Sequence, residues 1–226
     1  MSQVTQSAAT LVAGGEPTAG PEPGRRQRKK QRTRDALIEA AMELFTAKGY
    51  DRTAVREITD AVDVSERTFF RYFASKEDLA LSFARDATNA LLRALAARPE
   101  AEEPLTALRN AFRESLLELA DDGPHSEESK YLLVIRLIDS TPSLLAALLR
   151  YRHDHDDDIV RVLARREGVD PETDLRPRLV VMVFGGLIFL ATRDWRARDG
   201  GTVASMLAAF DAYVEQVGPA LAGHWS

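Results

Sequence analysis

The stretch VSERTFFRYF, Val64 to Phe73, sets two arginines, a threonine and a tyrosine among three phenylalanines. With Ser65 as an N-cap, Val64 falls at N′ and Phe69 at N4, the two positions of a hydrophobic staple. Phe73, one turn on, shares that inward face. At about 100° per residue, Arg67, Thr68, Arg71 and Tyr72 cover the opposite side, with Phe70 on the flank between. An outward stripe of this kind suits the reading of a DNA major groove. Arg pairs bidentately with guanine, Thr offers a hydroxyl and a methyl, and Tyr reaches a phosphate. Taken alone, the arginines fit a solvated helix face, where most exposed arginines belong. The elements around them favour the polyanion.

Those elements are helical. Leu37, Ala40, Ala41, Leu44 and Phe45 follow the spacing of an amphipathic helix, which Gly49 stops as a C-cap. Thr53 is positioned to cap a short second helix whose inward face is Val55, Ile58 and Val62. Asp63 ends it, and Ser65 caps the next. Two short helices joined by a tight turn make the helix-turn-helix outline. Ser75, paired with Asp78 three residues on, caps a fourth helix that runs through Leu79, Phe83 and Leu91 to the stop at Arg98-Pro99. Pro104 opens another, carrying Leu105, Leu108, Phe112, Leu116 and Leu119, and Gly123-Pro124 breaks it. Further helices are expected at roughly 127–139, 142–167, 175–194 and 203–217. No strand alternation, internal repeat or heptad seam is visible, so the fold class is all-α. The expected order is a tail over residues 1–24, a basic arm and helix-turn-helix domain over 25–76, and a helical body over 77–226.

Charge divides along the same line. Residues 25–34, RRQRKKQRTR, hold seven basic side chains and no acid. Residues 25–76 carry 13 basic and 8 acidic groups, net +5, whereas 77–226 carry 17 and 25, net −8. A basic head on an acidic body suggests that one part approaches a polyanion and the rest does not. The first 24 residues, rich in Gly, Pro, Ser, Thr and Ala, read as disordered and lack the pattern of a signal peptide. The chain has no cysteine, which excludes disulfides and thiolate chemistry. Its most apolar run, Leu179 to Thr192, is 14 residues, too short to span a bilayer. A cytoplasmic, soluble protein without membrane contact is the expectation.

Residues 32–79, RTRDALIEAAMELFTAKGYDRTAVREITDAVDVSERTFFRYFASKEDL, resemble the DNA-binding domain of the TetR family of repressors. AAMELFTAKGYDRTAV, VSERTFFRYF and SKEDL match its pattern in order and spacing. The resemblance implies that Ser65 to Tyr72 is the recognition helix on double-stranded DNA. It also implies that Thr53, Tyr72 and Lys76 meet phosphates and that Arg67 and Thr68 read bases. Three departures stand out: Ala54 replaces a usual Thr or Ser, Phe70 a common Tyr, and Asp63 a frequent Gly. Asp tolerates left-handed backbone, so the turn should survive.

The family joins such a head to a helical domain that dimerises and holds a small ligand. Leu179 to Ala191 is apolar around nearly its whole circumference and must be covered on several sides. Gly185-Gly186 at its centre suggests close approach by a partner helix or a ligand. Val203, Met206, Leu207, Phe210, Val214 and Val217 give the last helix an apolar stripe. Together the two helices suit either a four-helix homodimer interface or the chain's own core. The 127–192 region, with its RLIDSTPSLLAALL segment, is similar to a subgroup of regulators with acyl-CoA-like effectors. Phe112, Leu116, Tyr131, Leu133, Phe184 and Ile188 are candidates to line a pocket for a small hydrophobic or acyl-CoA-like ligand, or for ordinary core packing. Arg136 suits either an anionic ligand group or a salt bridge to Asp139. HDHDDD, residues 153–158, places His153 with Asp157 and Asp154 with Asp158 on shared faces; a solvated acidic face is the expectation rather than a metal site. No motif of nucleophilic, metal-hydrolytic or nucleotide-cofactor chemistry occurs, so neither catalytic residues nor cofactors are expected. The expected function is a ligand-responsive dimeric repressor. An acyl-thioester enzyme and a non-specific architectural DNA binder are the alternatives.

Overall fold

The computed structural model describes residues 25–120, 130–198 and 201–222. The expected tail, the Gly123-Pro124 break and the start of the 127–139 helix lie outside these. Ten helices and no strand occur among the described residues. They are α1 (Arg25–Lys48), α2 (Val55–Ala61), α3 (Glu66–Phe70), α4 (Lys76–Ala80), α5 (Ser82–Ala97), α6 (Pro104–Leu119), α7 (Lys130–Ser140), α8 (Pro142–Arg166), α9 (Arg176–Ala197) and α10 (Val203–Leu221). None of them alone is long and apolar enough to cross a membrane.

Leu37, Ala40, Ala41 and Phe45 bury the inner face of α1, and Gly49 closes it with φ +91°, as the spacing predicts. The basic run does not precede that helix but forms its first turns, because Arg and Lys are good helix formers. The 75–97 segment is two helices rather than one. The Arg85 guanidinium takes the Asp78 carbonyl at 3.0 Å and pairs with the Asp78 carboxylate. That carbonyl would otherwise accept the Ser82 amide of a continuous helix.

Two buried clusters organise the chain. One joins α5, α6, α8, α9 and α10 around Leu95, Leu108, Phe112, Phe184 and Phe210. The other gathers Leu37, Phe45, Ile58, Phe69 and Phe73 of the head with Val134 and Ile138 of α7 and Leu144 and Ala147 of α8. The stripe of α10 enters its own chain's core: Val203, Met206, Leu207 and Phe210 are all buried. Helix α9 buries Val181, Phe184, Leu187, Ala191 and Trp195 and leaves Leu179, Met182, Val183 and Phe189 exposed. The chain alone therefore covers only one side of its most apolar helix.

Candidate nucleic-acid interface and effector cavity

The reading head is built on a turn of four residues between α2 and α3. Asp63 takes φ +54°, the left-handed geometry that Asp tolerates, and the Val64 amide donates to Thr59 at 3.0 Å. Ser65 then caps α3, accepting the Thr68 amide at 3.1 Å and meeting the Thr68 hydroxyl at 3.0 Å. Phe69 and Phe73 are fully buried with ring centroids 5.6 Å apart. Regular helix ends at Phe70, and the Tyr72 amide still donates to the Phe69 carbonyl at 2.8 Å. Ser65, Arg67 and Arg71 are exposed, and Thr68 and Tyr72 are half-buried. The Arg71 guanidinium lies 5.1 Å from the Tyr72 ring centre. Phe70 joins the outward group at 53% exposure, edge-on to Phe69.

Thr53 and Lys76 stand differently. Thr53 is 2% exposed, and its hydroxyl donates to the Gly49 carbonyl at 2.9 Å. It is not the cap of α2: that position falls to Ala54, whose amide donates to the Glu57 carboxylate at 2.8 Å. Helix α2 begins one residue later than the sequence suggests, so the Thr53 side chain is turned to the end of α1 instead of the first amides of α2. The Lys76 ammonium donates to the carbonyls of Tyr50 and Thr53, and burial holds its pKa below the ordinary lysine value. Both residues tie the α1–α2 loop to α4.

Behind the head, helices α5 to α9 line a partly open cavity of about 390 Å³. Of the seven candidate lining residues, Phe112, Leu116, Tyr131, Phe184 and Ile188 face it. Leu133 and Arg136 do not. On α7 the facing positions are Tyr131, Val134, Ile135, Ile138 and Asp139, and a rotation of about 100° per residue turns 133 and 136 away. Asp139 pairs with Arg196, and Arg136 lies 5.9 Å from the Trp195 ring centre. Aromatic rings and aliphatic side chains share the apolar part, with Phe112 edge-on to Phe184 at 5.8 Å and Phe83 tilted on Tyr131 at 5.2 Å. Burial pushes the Tyr131 phenol far above its ordinary pKa.

Arg152, His155 and Asp156 of α8, and Arg193 and Arg196 of α9, form the polar end of the lining. Part of the HDHDDD segment thus turns inward. His155 stacks on Tyr151 at 4.1 Å, and burial raises the Asp156 pKa against the pull of Arg152. No group of His, Asp and Glu suited to a metal ion occurs among the described residues. Sequence reasoning missed Phe83, Val134, Ile138, Tyr151 and Arg152. The only advance signal was Gly185, which lies against the Arg152 guanidinium. Val134 and Ile138 line the cavity and also belong to the head's buried cluster.

Comparison with known proteins extends this picture along both parts of the chain. Residues 37–83 match the family model described as bacterial regulatory proteins, tetR family, and residues 102–219 match the MftR C-terminal domain. The chain is 41% identical over 204 residues to the HTH-type transcriptional regulator TcmR of Streptomyces glaucescens, covering 90% of each. It is 29% identical over 192 residues to a Mycobacterium tuberculosis H37Rv protein named as a mycofactocin biosynthesis transcriptional regulator, MftR, covering 84% of this chain and 94% of that one. Among solved structures, a transcriptional regulator of Pseudomonas aeruginosa PAO1 shares the fold with a TM-score of 0.52 at 18% identity, over 84% of this chain and 91% of that one. The chain belongs to the TetR family of bacterial regulatory proteins, transcriptional regulators rather than enzymes, which bind DNA and act as dimers.

Proposed function

We propose that this chain is a repressor that binds a palindromic operator as a homodimer and is released by a small hydrophobic or acyl-CoA-like effector. Residues 25–76 serve as the reading domain and 77–226 as the effector and dimerisation domain. Arg67, Thr68 and Arg71 read bases, Ser65, Tyr72 and Phe70 pack against the backbone, and Thr53 and Lys76 hold the loop beside them. The exposed stripe of α9, with α10 alongside, meets a second copy and sets two recognition helices about one DNA turn apart. The cavity takes a compact molecule whole, or the acyl portion of a longer thioester.

One observation carries the coupling: Val134 and Ile138 are at once cavity wall and head core. An effector that presses on them also acts on the packing of Leu37, Phe45 and Phe69, and so biases the spacing of the heads. Differential binding to the two spacings, typically about 1–3 kcal/mol, lowers operator affinity roughly 5- to 150-fold.

Selection from a random duplex pool tests the reading. The expected enrichment is a palindrome with half-sites about one turn apart, and Arg67→Ala costs about 1–3 kcal/mol and relaxes one position of each half-site. Failure to prefer any sequence over random duplex at moderate salt, with Arg67→Ala binding as the parent does, would sink it.

A further inference from the structure

Arg152 is the residue of the cavity that the packing of the chain does not explain. It sits half-buried on α8, and no carboxylate lies within ion-pair distance of it among the described residues. Asp139, the cavity acid on α7, is taken by Arg196, and Asp156, one turn along α8, feels the charge of Arg152 without forming an ion pair with it. A cation placed against an apolar aromatic wall costs free energy unless a partner meets it.

The chain nevertheless makes room for this cation. A Cβ on Gly185 would stand 2.5 Å from Arg152 Nη2 and 3.8 Å from its Cζ, so glycine lets the end of the guanidinium rest against α9 where a larger residue would displace it. Glycine inside a helix is itself destabilising relative to alanine. The neighbouring Gly186 faces open space, with nothing within 4 Å of a Cβ. Seating Arg152 therefore gives Gly185 its reason and leaves Gly186 unexplained by it. Phe184, Ile188 and Tyr151 supply the apolar surroundings.

We propose that Arg152 is the anion-recognition residue of this cavity, that Gly185 is its seat, and that the effector is a compact aromatic or otherwise hydrophobic molecule bearing one acidic oxygen group. The proposal rests on the cavity being the effector site. A planar guanidinium in the cavity lining binds an oxyanion by charge-assisted hydrogen bonds whose fork geometry a lysine or a neutral donor does not reproduce.

Two fluorescent probes of one skeleton test it: the anion 1-anilinonaphthalene-8-sulfonate and the neutral N-phenyl-1-naphthylamine. The wild-type chain binds the anion more tightly. Arg152→Gln lowers the ratio of anionic to neutral affinity about tenfold or more, Arg152→Lys lowers it less, and Gly185→Ala lowers it with the arginine still present. Unfolding curves establish that each variant is folded, and Gly185→Ala carries the test where Arg152→Gln is not. An unchanged ratio in Arg152→Gln and Gly185→Ala, or a wild type with no preference for the anion, overturns the proposal alone. Binding of neither probe overturns the cavity as effector site as well, while operator selection, measured without probe, decides the regulator reading separately.

Discussion

The Lys76 ammonium stands 4.1 Å from the centre of the Tyr50 ring and donates to the Tyr50 and Thr53 carbonyls at 2.7 and 2.8 Å. One side chain thus closes the loop between α1 and α2 from the start of α4. Replacing it by methionine leaves two carbonyls short of a donor and removes the cation from the ring. Lys76→Met is expected to lower stability by about 1–3 kcal/mol in urea unfolding without DNA. A lysine that served only a phosphate would leave that unfolding curve where it was.

Ser65 has two roles that one pair of variants separates. As N-cap it satisfies the Thr68 amide, and as an exposed residue at the start of α3 it faces the proposed operator. Ser65→Ala removes the cap and costs about 1 kcal/mol of stability. Ser65→Asp keeps an acceptor there and favours the helix dipole, so stability returns. DNA affinity does not, because the new carboxylate repels phosphate. Chemical denaturation and a binding titration on the same samples measure both.

The head was legible because local rules decide it. The staple of Val64 on Phe69, the Ser65 cap and the left-handed Asp63 are all set within ten residues of chain, and periodicity places Phe69 and Phe73 inside. Thr53 misled because the helix start shifted by one residue: Ala54 takes the N-cap position, and the Thr53 hydroxyl faces the Gly49 carbonyl at the end of α1. The cavity was less legible. Phe112 and Phe184 look alike as core or as lining in any sequence, and only the packing of five helices leaves space beside them. Arg136 and Arg152 differ by their rotation about separate helix axes, which depends on that packing. The division of labour between the last two helices was hidden for the same reason: α10 spends its apolar face inside the chain, whereas α9 buries one apolar side and leaves another exposed.

The first turns of α1 give a salt-dependent prediction. Arg25, Arg26, Lys29 and Lys30 are exposed, the first turn holds no acid, and Leu37 is the first buried residue of the helix. Cations at a helix N-terminus oppose the dipole, and the 25/29 and 26/30 pairs repel at i, i+4. A polyanion relieves both penalties. Converting the four to glutamine is expected to flatten log affinity against log salt by about 0.9 for each phosphate left without its cation. Preference for operator over random duplex changes little. An unaltered slope means that this helix end stays clear of DNA.

Asp174 anchors the start of α9 and sets an acid limit there. Its carboxylate accepts from the Arg176 guanidinium and from the Arg176 amide at 2.9 Å, which together hold its pKa at about 2 against an ordinary 3.8. A depressed carboxylate pKa means that the unfolded chain binds the proton more readily. The stabilisation is therefore complete above about pH 4 and is lost as pH falls towards 2. Thermal midpoints of wild type and Asp174→Ala should differ by a constant amount from pH 7 to about 4 and converge below it. A gap that persists undiminished at pH 2 would show that the ionised carboxylate is not its source.

Met182 offers the sharpest test of assembly. It is 66% exposed at the middle of the α9 stripe, between Leu179 one turn before and Gly186 one turn after. Gly186 has open space where a side chain would stand, so a partner helix can approach closely there. Met182→Glu places a carboxylate in each half of a two-fold interface, where an unpaired buried charge costs about 3–5 kcal/mol. Sedimentation at micromolar concentration should show the wild type at twice the 25.0 kDa chain mass and the variant near the single mass. Operator affinity falls with it, because a lone head reads one half-site. A circular-dichroism spectrum and an unfolding curve of the monomeric variant separate loss of assembly from loss of fold. A dimer that survives Met182→Glu would move the interface from α9 to the small residues Ala208 and Ala212 exposed on α10.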